Sequence, residues 1–162
     1  MIKLHLEPVT AQNREEILRL GVLPGQKGYI ETVAQCMEEA GEYGGWRPVG
    51  IYDGDLPVGF SMYGFFREEY PPEGRLWLDR LLIDARFQGR GYGRAALEAL
   101  LERLSREYPE KDVYLSVIEG NDVATRLYEQ YGFRFIGEKD IHGEDVMVRA
   151  WDGNSIVKTL AF

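Results

Sequence analysis

A largely apolar stretch from Leu76 to Ile83, broken only by Asp79-Arg80, leads directly into Asp84-Ala-Arg-Phe-Gln-Gly-Arg-Gly-Tyr-Gly-Arg94. A strand therefore meets a glycine-rich, arginine-flanked turn, and a helix opens at once. Glycine carries no Cβ, so the backbone of such a turn can approach a ligand closely. The first amides of a helix have no partner within the helix and attract anions. This junction is suited to a phosphate or pyrophosphate, and it points to a nucleotide-type ligand.

Length and composition narrow the setting. A chain of 162 residues fits one domain and can bury a core. No stretch approaches the roughly 18 uninterrupted apolar residues that read as a membrane span. The first residues, Met-Ile-Lys-Leu-His-Leu-Glu, alternate like a strand and lack a signal-peptide pattern. The expectation is a soluble, cytoplasmic protein that spans no membrane. Cys36 is the single cysteine, which rules out an internal disulfide, and with only two histidines no zinc site is expected. A net charge of −8 argues against nucleic acid as a partner, because a phosphate backbone needs a basic face. Yet Arg86, Arg90 and Arg94 cluster at the glycine turn. An acidic chain with one basic patch suits an enzyme that handles a polyanionic cofactor and a cationic substrate. Solubility alone accounts for the net charge equally well.

Periodicity predicts the elements. Strands are expected over 2–7, 47–52, 56–66, 75–84, 113–118, 133–138 and 145–151, with a hairpin turn at Asp53-Gly54 and a joint near His142-Gly143. Helices are expected over 11–20 with Thr10 as cap, over about 27–40, over 91–107, and over 122–131 with Asn121 as cap and Gly132 as stop. The order β-α-α-β-β-β-α-β-α-β-β describes an α/β (α+β) protein with a mixed, mostly antiparallel central sheet of six to seven strands and flanking helices. Residues 1–151 read as a single domain and 152–162 as a C-terminal tail.

Three phosphate-binding schemes can be tested on the turn. A P-loop requires Gly-Lys-Ser/Thr, and no such pair follows. A dinucleotide fingerprint spaces its glycines Gly-x-Gly-x-x-Gly, whereas Gly89, Gly91 and Gly93 place the third one position early. The stretch Gln88-Gly89-Arg90-Gly91-Tyr92-Gly93 resembles the Gln/Arg-x-x-Gly-x-Gly/Ala turn of the GCN5-related N-acetyltransferases. Beyond it, Asn121, Ala124, Tyr128 and Gly132-Phe133 resemble that family's second signature. Tyr29-Ile30-Glu31, Pro48-Val49-Gly50, 58–64 and Trp77-Leu78-Asp79-Arg80 are similar to the bacterial spermine/spermidine acetyltransferase type.

The resemblance implies a fold with two splayed central strands, here 75–84 and 113–118, and acetyl-CoA (CoA) as acetyl donor with no metal. It places the pantetheine arm along Leu81, Leu82 and Ile83, and the pyrophosphate on the backbone of Gln88, Gly89, Arg90, Gly91, Tyr92, Gly93 and Arg94. Asn121 and Ala124 would meet the cofactor arm, and Arg86, Arg90 and Arg94 would offset its charge. Those arginines also read as a solvated helix face. The same resemblance implies transfer without an acyl-enzyme, and a homodimer by analogy.

Such a reaction must neutralise an alkyl ammonium of pKa about 10.4, and it needs an acid for a departing thiolate near 8.5. Tyr128 stands where the family's general-acid tyrosine stands, and it also reads as an inner-face residue of an amphipathic helix. Asp79 stands where related enzymes carry an acidic residue that draws the proton or binds the ammonium. The alternative is a salt bridge to a neighbouring arginine. A backbone amide near Leu81 offers a donor to the developing oxyanion. Between Gly28 and Trp46 there is no lysine or arginine, but Glu31, Glu38, Glu39 and Glu42 are present. Glu31 beside Tyr29 is the acceptor candidate, with Tyr63 and Glu144 behind it. Glu38, Glu39 and Glu42 read as a solvent-facing helix side. Cys36, among Val33, Ala34 and Met37, reads as core. The expected acceptor is a polyamine or diamine. Another small amine, an antibiotic amine or a protein amine remains open, as does a non-catalytic acyl-CoA sensor.

Overall fold

In the strand Leu56–Phe66, residues 58–64 are buried without a break, as expected of a strand covered on both faces. In the computed structural model, which describes residues 2–21, 33–42 and 44–151, this strand lies inside a seven-stranded sheet. The elements run β1 (His5–Pro8), α1 (Arg14–Leu18), α2 (Val33–Glu42), β2 (Arg47–Asp53), β3 (Leu56–Phe66) and β4 (Arg75–Ile83). After a 3-10 turn at Ala85–Phe87 come α3 (Tyr92–Glu107), β5 (Val113–Val117), α4 (Asp122–Gln130), β6 (Arg134–Lys139) and β7 (Asp145–Arg149). The strand order is β1-β2-β3-β4-β5-β7-β6. β4 and β5 pair in parallel at Leu76↔Val113 and Trp77↔Tyr114 only, while β5, β6 and β7 pair antiparallel. The mixed sheet with flanking helices is the expected class.

The chain divides into two compact units, Met1–Gly64 with Asp79–Leu100, and Phe65–Leu78 with Leu101–Phe162. In the first, Ile17 and Leu20 pack with Val33, Cys36, Tyr52, Phe60, Met62 and Leu82. Cys36 is buried and reduced within this cluster, so its role is packing. Helix α1 is shorter than expected and its N-cap is Asn13. Thr10 does not cap it; the Thr10 amide donates to Asn13 Oδ1 at 2.7 Å. Tyr52 donates from its phenol to Glu16 at 2.7 Å, and burial with that carboxylate beside it raises its pKa well above the usual phenol range. At Gly59 the sheet admits no side chain: a Cβ there would sit 2.5 Å from the Leu82 carbonyl.

In the second unit Leu76, Leu78, Leu101, Leu104, Val113 and Leu115 are buried. Each fully buried leucine contributes roughly 1.5–3 kcal/mol. Arg75 donates to both oxygens of Glu138, and its guanidinium lies 4.7 Å from the Tyr70 ring centroid and 4.4 Å from that of Tyr114. The carboxylate pair raises the Arg75 pKa, and the hydrogen bonds from Arg75 lower that of Glu138. The outer strand β6 is mostly exposed and irregular, with a register shift between Phe135 and Lys139 and with Gly137 at φ 77. Among the described residues no helix is long and apolar enough to cross a membrane.

Candidate functional site

Asp79 is half-buried and Arg80 buried on β4, and Arg80 has φ 59. A residue with a Cβ takes that left-handed conformation at a cost of about 1–2 kcal/mol. The kink is locked from several sides. Asp79 Oδ1 accepts the Arg80 backbone N–H at 2.9 Å, and Ser61 Oγ donates to the Asp79 carbonyl at 3.0 Å. The Arg80 guanidinium reaches Glu39 of α2 at 2.7 Å and Asp79 at 3.5 Å. Asp79 therefore does bridge to its neighbouring arginine. Glu39 does not stand in solvent as its helix position suggested, because a cation distant in sequence draws it in. Glu38 is exposed as expected.

Beyond the kink, Leu82 is buried in the core, while Leu81 and Ile83 are half-buried. The strand ends at Asp84, which is 4% exposed. Its carboxylate accepts from the amides of Arg86 and Gly21, at 3.0 and 3.1 Å, and from Arg86 Nε at 2.8 Å. Burial alone would raise the Asp84 pKa, but the donors from Arg86 and Gly21 outweigh it and hold the group below the usual aspartate range. Arg86 is thus engaged inside the chain, with a side chain 66% exposed.

The glycine turn follows. Gly89 and Gly91 take φ 75 and 86, a region that side chains with a Cβ rarely occupy. A Cβ on Gly89 would meet nothing within 4 Å, so the turn borders open space. Helix α3 opens at Tyr92, with Ala95 N–H bonding back to the Gly91 carbonyl at 3.2 Å. The opening turn of a helix offers backbone amides to anions, which fits this turn to an anionic pyrophosphate. Gln88 braces the turn by donating to the Ile83 carbonyl at 2.9 Å. Arg90 and Arg94 are exposed. Tyr92 donates to Asp53 at 2.7 Å, and that bond raises its pKa.

In the second unit Asn121 caps α4: its side chain accepts from the Ala124 amide, and Thr125 Oγ1 donates to its carbonyl at 3.0 Å. Tyr128 is half-buried on α4, edge-on to Phe133 with ring centroids 5.8 Å apart. The chain turns at Gly132, φ 92, and the Phe133 amide returns to the Tyr128 carbonyl at 3.2 Å. That closure explains why a Tyr-x-x-x-Gly-Phe spacing goes with a fixed tyrosine. Of the remaining acceptor candidates, Tyr63 is only 2% exposed on β3. Glu144 lies in the β6–β7 turn, where its amide donates to Asp140. Tyr29, Glu31 and the Glu42 side chain fall outside the described residues.

The model of the acetyltransferase (GNAT) family matches residues 24–133. A spermine/spermidine N(1)-acetyltransferase of Bacillus subtilis (strain 168) is 47% identical over 151 residues, covering 91% of this chain and 99% of its own. The chain belongs to the GNAT acetyltransferases. Solved structures carry the same fold. An aminoglycoside acetyltransferase in complex with coenzyme A is matched with TM-score 0.75 at 20% identity, over 91% of this chain and 95% of that one. A Vibrio cholerae spermidine N-acetyltransferase in complex with CoA and spermine is matched with TM-score 0.65 at 18% identity, over 90% and 93%.

Reading this GNAT chain by motif alone passes over Asp53, Ser61 and Asp84, and it assigns Arg80 no role beyond neighbour to Asp79. Asp84 had a signal in the sequence: an aspartate at a strand end, two residues before an arginine, is a turn-forming arrangement. Ser61 and Asp53 had none, since their partners lie 18 and 39 residues away.

Proposed function

We propose that this acetyltransferase moves an acetyl group from acetyl-CoA to a primary amine of a polyamine such as spermine or spermidine. One observation carries the reading: β4 bears Asp79 at its kink and then delivers, through Asp84, into the left-handed Gly89–Gly91 turn. The similarity to a spermine/spermidine acetyltransferase over nearly its whole length supports the choice of amine.

Acetyl-CoA supplies a thioester carbon open to attack by a neutral amine. The amides from Gly89 to Arg94 bind its pyrophosphate, and Arg90 and Arg94 offset its charge. Leu81 and Ile83 present backbone groups to the pantetheine arm, and the family resemblance assigns Asn121 and Ala124 to the cofactor as well. Tyr128 holds on its Oη the proton that the thiolate takes on leaving. Asp79 draws the ammonium by charge and relays, through water, the proton that the attacking amine must lose. Tyr29 and Glu31 are assigned to the acceptor by sequence resemblance. In this reading the enzyme is cytoplasmic and a homodimer, and light scattering of the pure protein checks the dimer.

The test is thiol release from acetyl-CoA near pH 8 across spermine, spermidine, a simple diamine, amino acids, an aminoglycoside and a lysine peptide. Saturable turnover highest with the polyamines is expected. Turnover confined to another amine would discard the polyamine assignment. Tight acetyl-CoA binding without any turnover would favour a sensor.

A further inference from the structure

A long cationic side chain occupies a strand position whose backbone suits glycine. Arg80 has φ 59, and its side chain is only 6% exposed. Strain of this kind persists where the surroundings fix it, and it gathers at functional positions. Two carboxylates from different elements hold the guanidinium, Glu39 of α2 at 2.7 Å from Nη2 and Asp79 of β4 at 3.5 Å from Nη1. The backbone beneath is fixed as well, since Asp79 Oδ1 takes the Arg80 amide and Ser61 holds the Asp79 carbonyl. One planar fork, which a lysine ammonium cannot copy, thus joins the strand that carries Asp79 to α2.

We propose that Arg80 is a positioning residue for the amine. It fastens α2 to β4 through Glu39 and sets the orientation of the Asp79 carboxylate, and so governs how well the acceptor is held. The proposal rests on the acetyltransferase reading above, with Asp79 on the acceptor side. It predicts that losing the fork harms amine binding and spares acetyl-CoA.

The experiment compares Arg80→Gly, Arg80→Ala, Arg80→Lys and Glu39→Gln for KM of the amine, KM of acetyl-CoA, kcat and Tm. Arg80→Gly relieves the backbone while removing the fork, and Arg80→Ala removes the fork alone. Both should raise the amine KM about tenfold, with kcat and the acetyl-CoA KM within about twofold. Glycine should melt higher than alanine. Arg80→Lys should recover part of the loss and Glu39→Gln should share part of it. A wild-type amine KM in Arg80→Gly would overturn the proposal, as would equal losses in amine KM, acetyl-CoA KM and kcat. If the Arg80 variants fail to fold, an unchanged amine KM in Glu39→Gln overturns it. The amine used is whichever the wild type prefers, so a different acceptor removes the polyamine assignment without touching Arg80. Silence of the wild type with every amine would overturn both.

Discussion

The phenol of Tyr92 donates to the carboxylate of Asp53 at 2.7 Å, joining the start of α3 to the β2–β3 hairpin. Tyr92 sits between two glycines of the phosphate turn, so its side chain holds the turn while its backbone is left for the ligand. Tyr92→Phe and Asp53→Asn should each raise the acetyl-CoA KM about threefold and leave kcat nearly unchanged. Because the Tyr92 pKa is raised, the phenol keeps its proton to above about pH 10, and the acetyl-CoA KM of the wild type should stay flat up to there on this account. Initial rates at varied acetyl-CoA check both statements.

Gly91→Val should abolish measurable acetyl-CoA binding. Its φ of 86 is closed to a β-branched residue, which would rotate the amides away at a strain of about 1–3 kcal/mol. Isothermal titration with CoA reads the loss, and far-UV circular dichroism confirms that the variant is folded. Retained affinity would show that the turn is not the pyrophosphate site.

Tyr128→Phe keeps the ring against Phe133 and removes only the hydroxyl with its proton. Turnover should fall by about 10²–10⁴, the range for general acids, while the CoA affinity moves little. Rapid-mixing kinetics separate the two. Unchanged turnover would leave Tyr128 as a packing residue.

Asp84 sets how stability depends on pH. Its folded pKa is depressed, so the stabilisation is fully present above the unfolded value of about 3.9 and drains away as pH falls through the lower folded value. Asp84→Asn should cost about 1.5–3 kcal/mol at pH 7, the range for hydrogen bonds to a charged group, and should flatten the acid side of the stability curve. Urea melts between pH 3 and 7 show whether the wild-type and variant curves converge at low pH.

Local signals were legible in the sequence, and distant pairings were not. Asp53-Gly54 announced its hairpin, and Gly54 has φ 61. Asn121 announced α4, because a cap acts within three residues of its own position. The glycine turn was readable as a turn because its conformation follows from the missing Cβ. Glu39 was misread since its helix face says nothing of an arginine 41 residues away. The kink at Arg80 was invisible for a related reason: tertiary bonds impose it against the residue's own preference. Thr10 was misplaced as a cap because α1 starts later, after Asn13, whose side chain makes no capping bond.

The two outer strands bear on how concentrated solutions of this enzyme behave. A straight, unpaired strand invites the next molecule to add its own, and aggregates grow by that route. Here β1 ends in Pro8, which has no amide hydrogen to offer, and β6 is bent at Gly137 and carries Arg134, Glu138 and Lys139. Neither border is a template for endless stacking, so crowding should not drive the folded chain toward fibres.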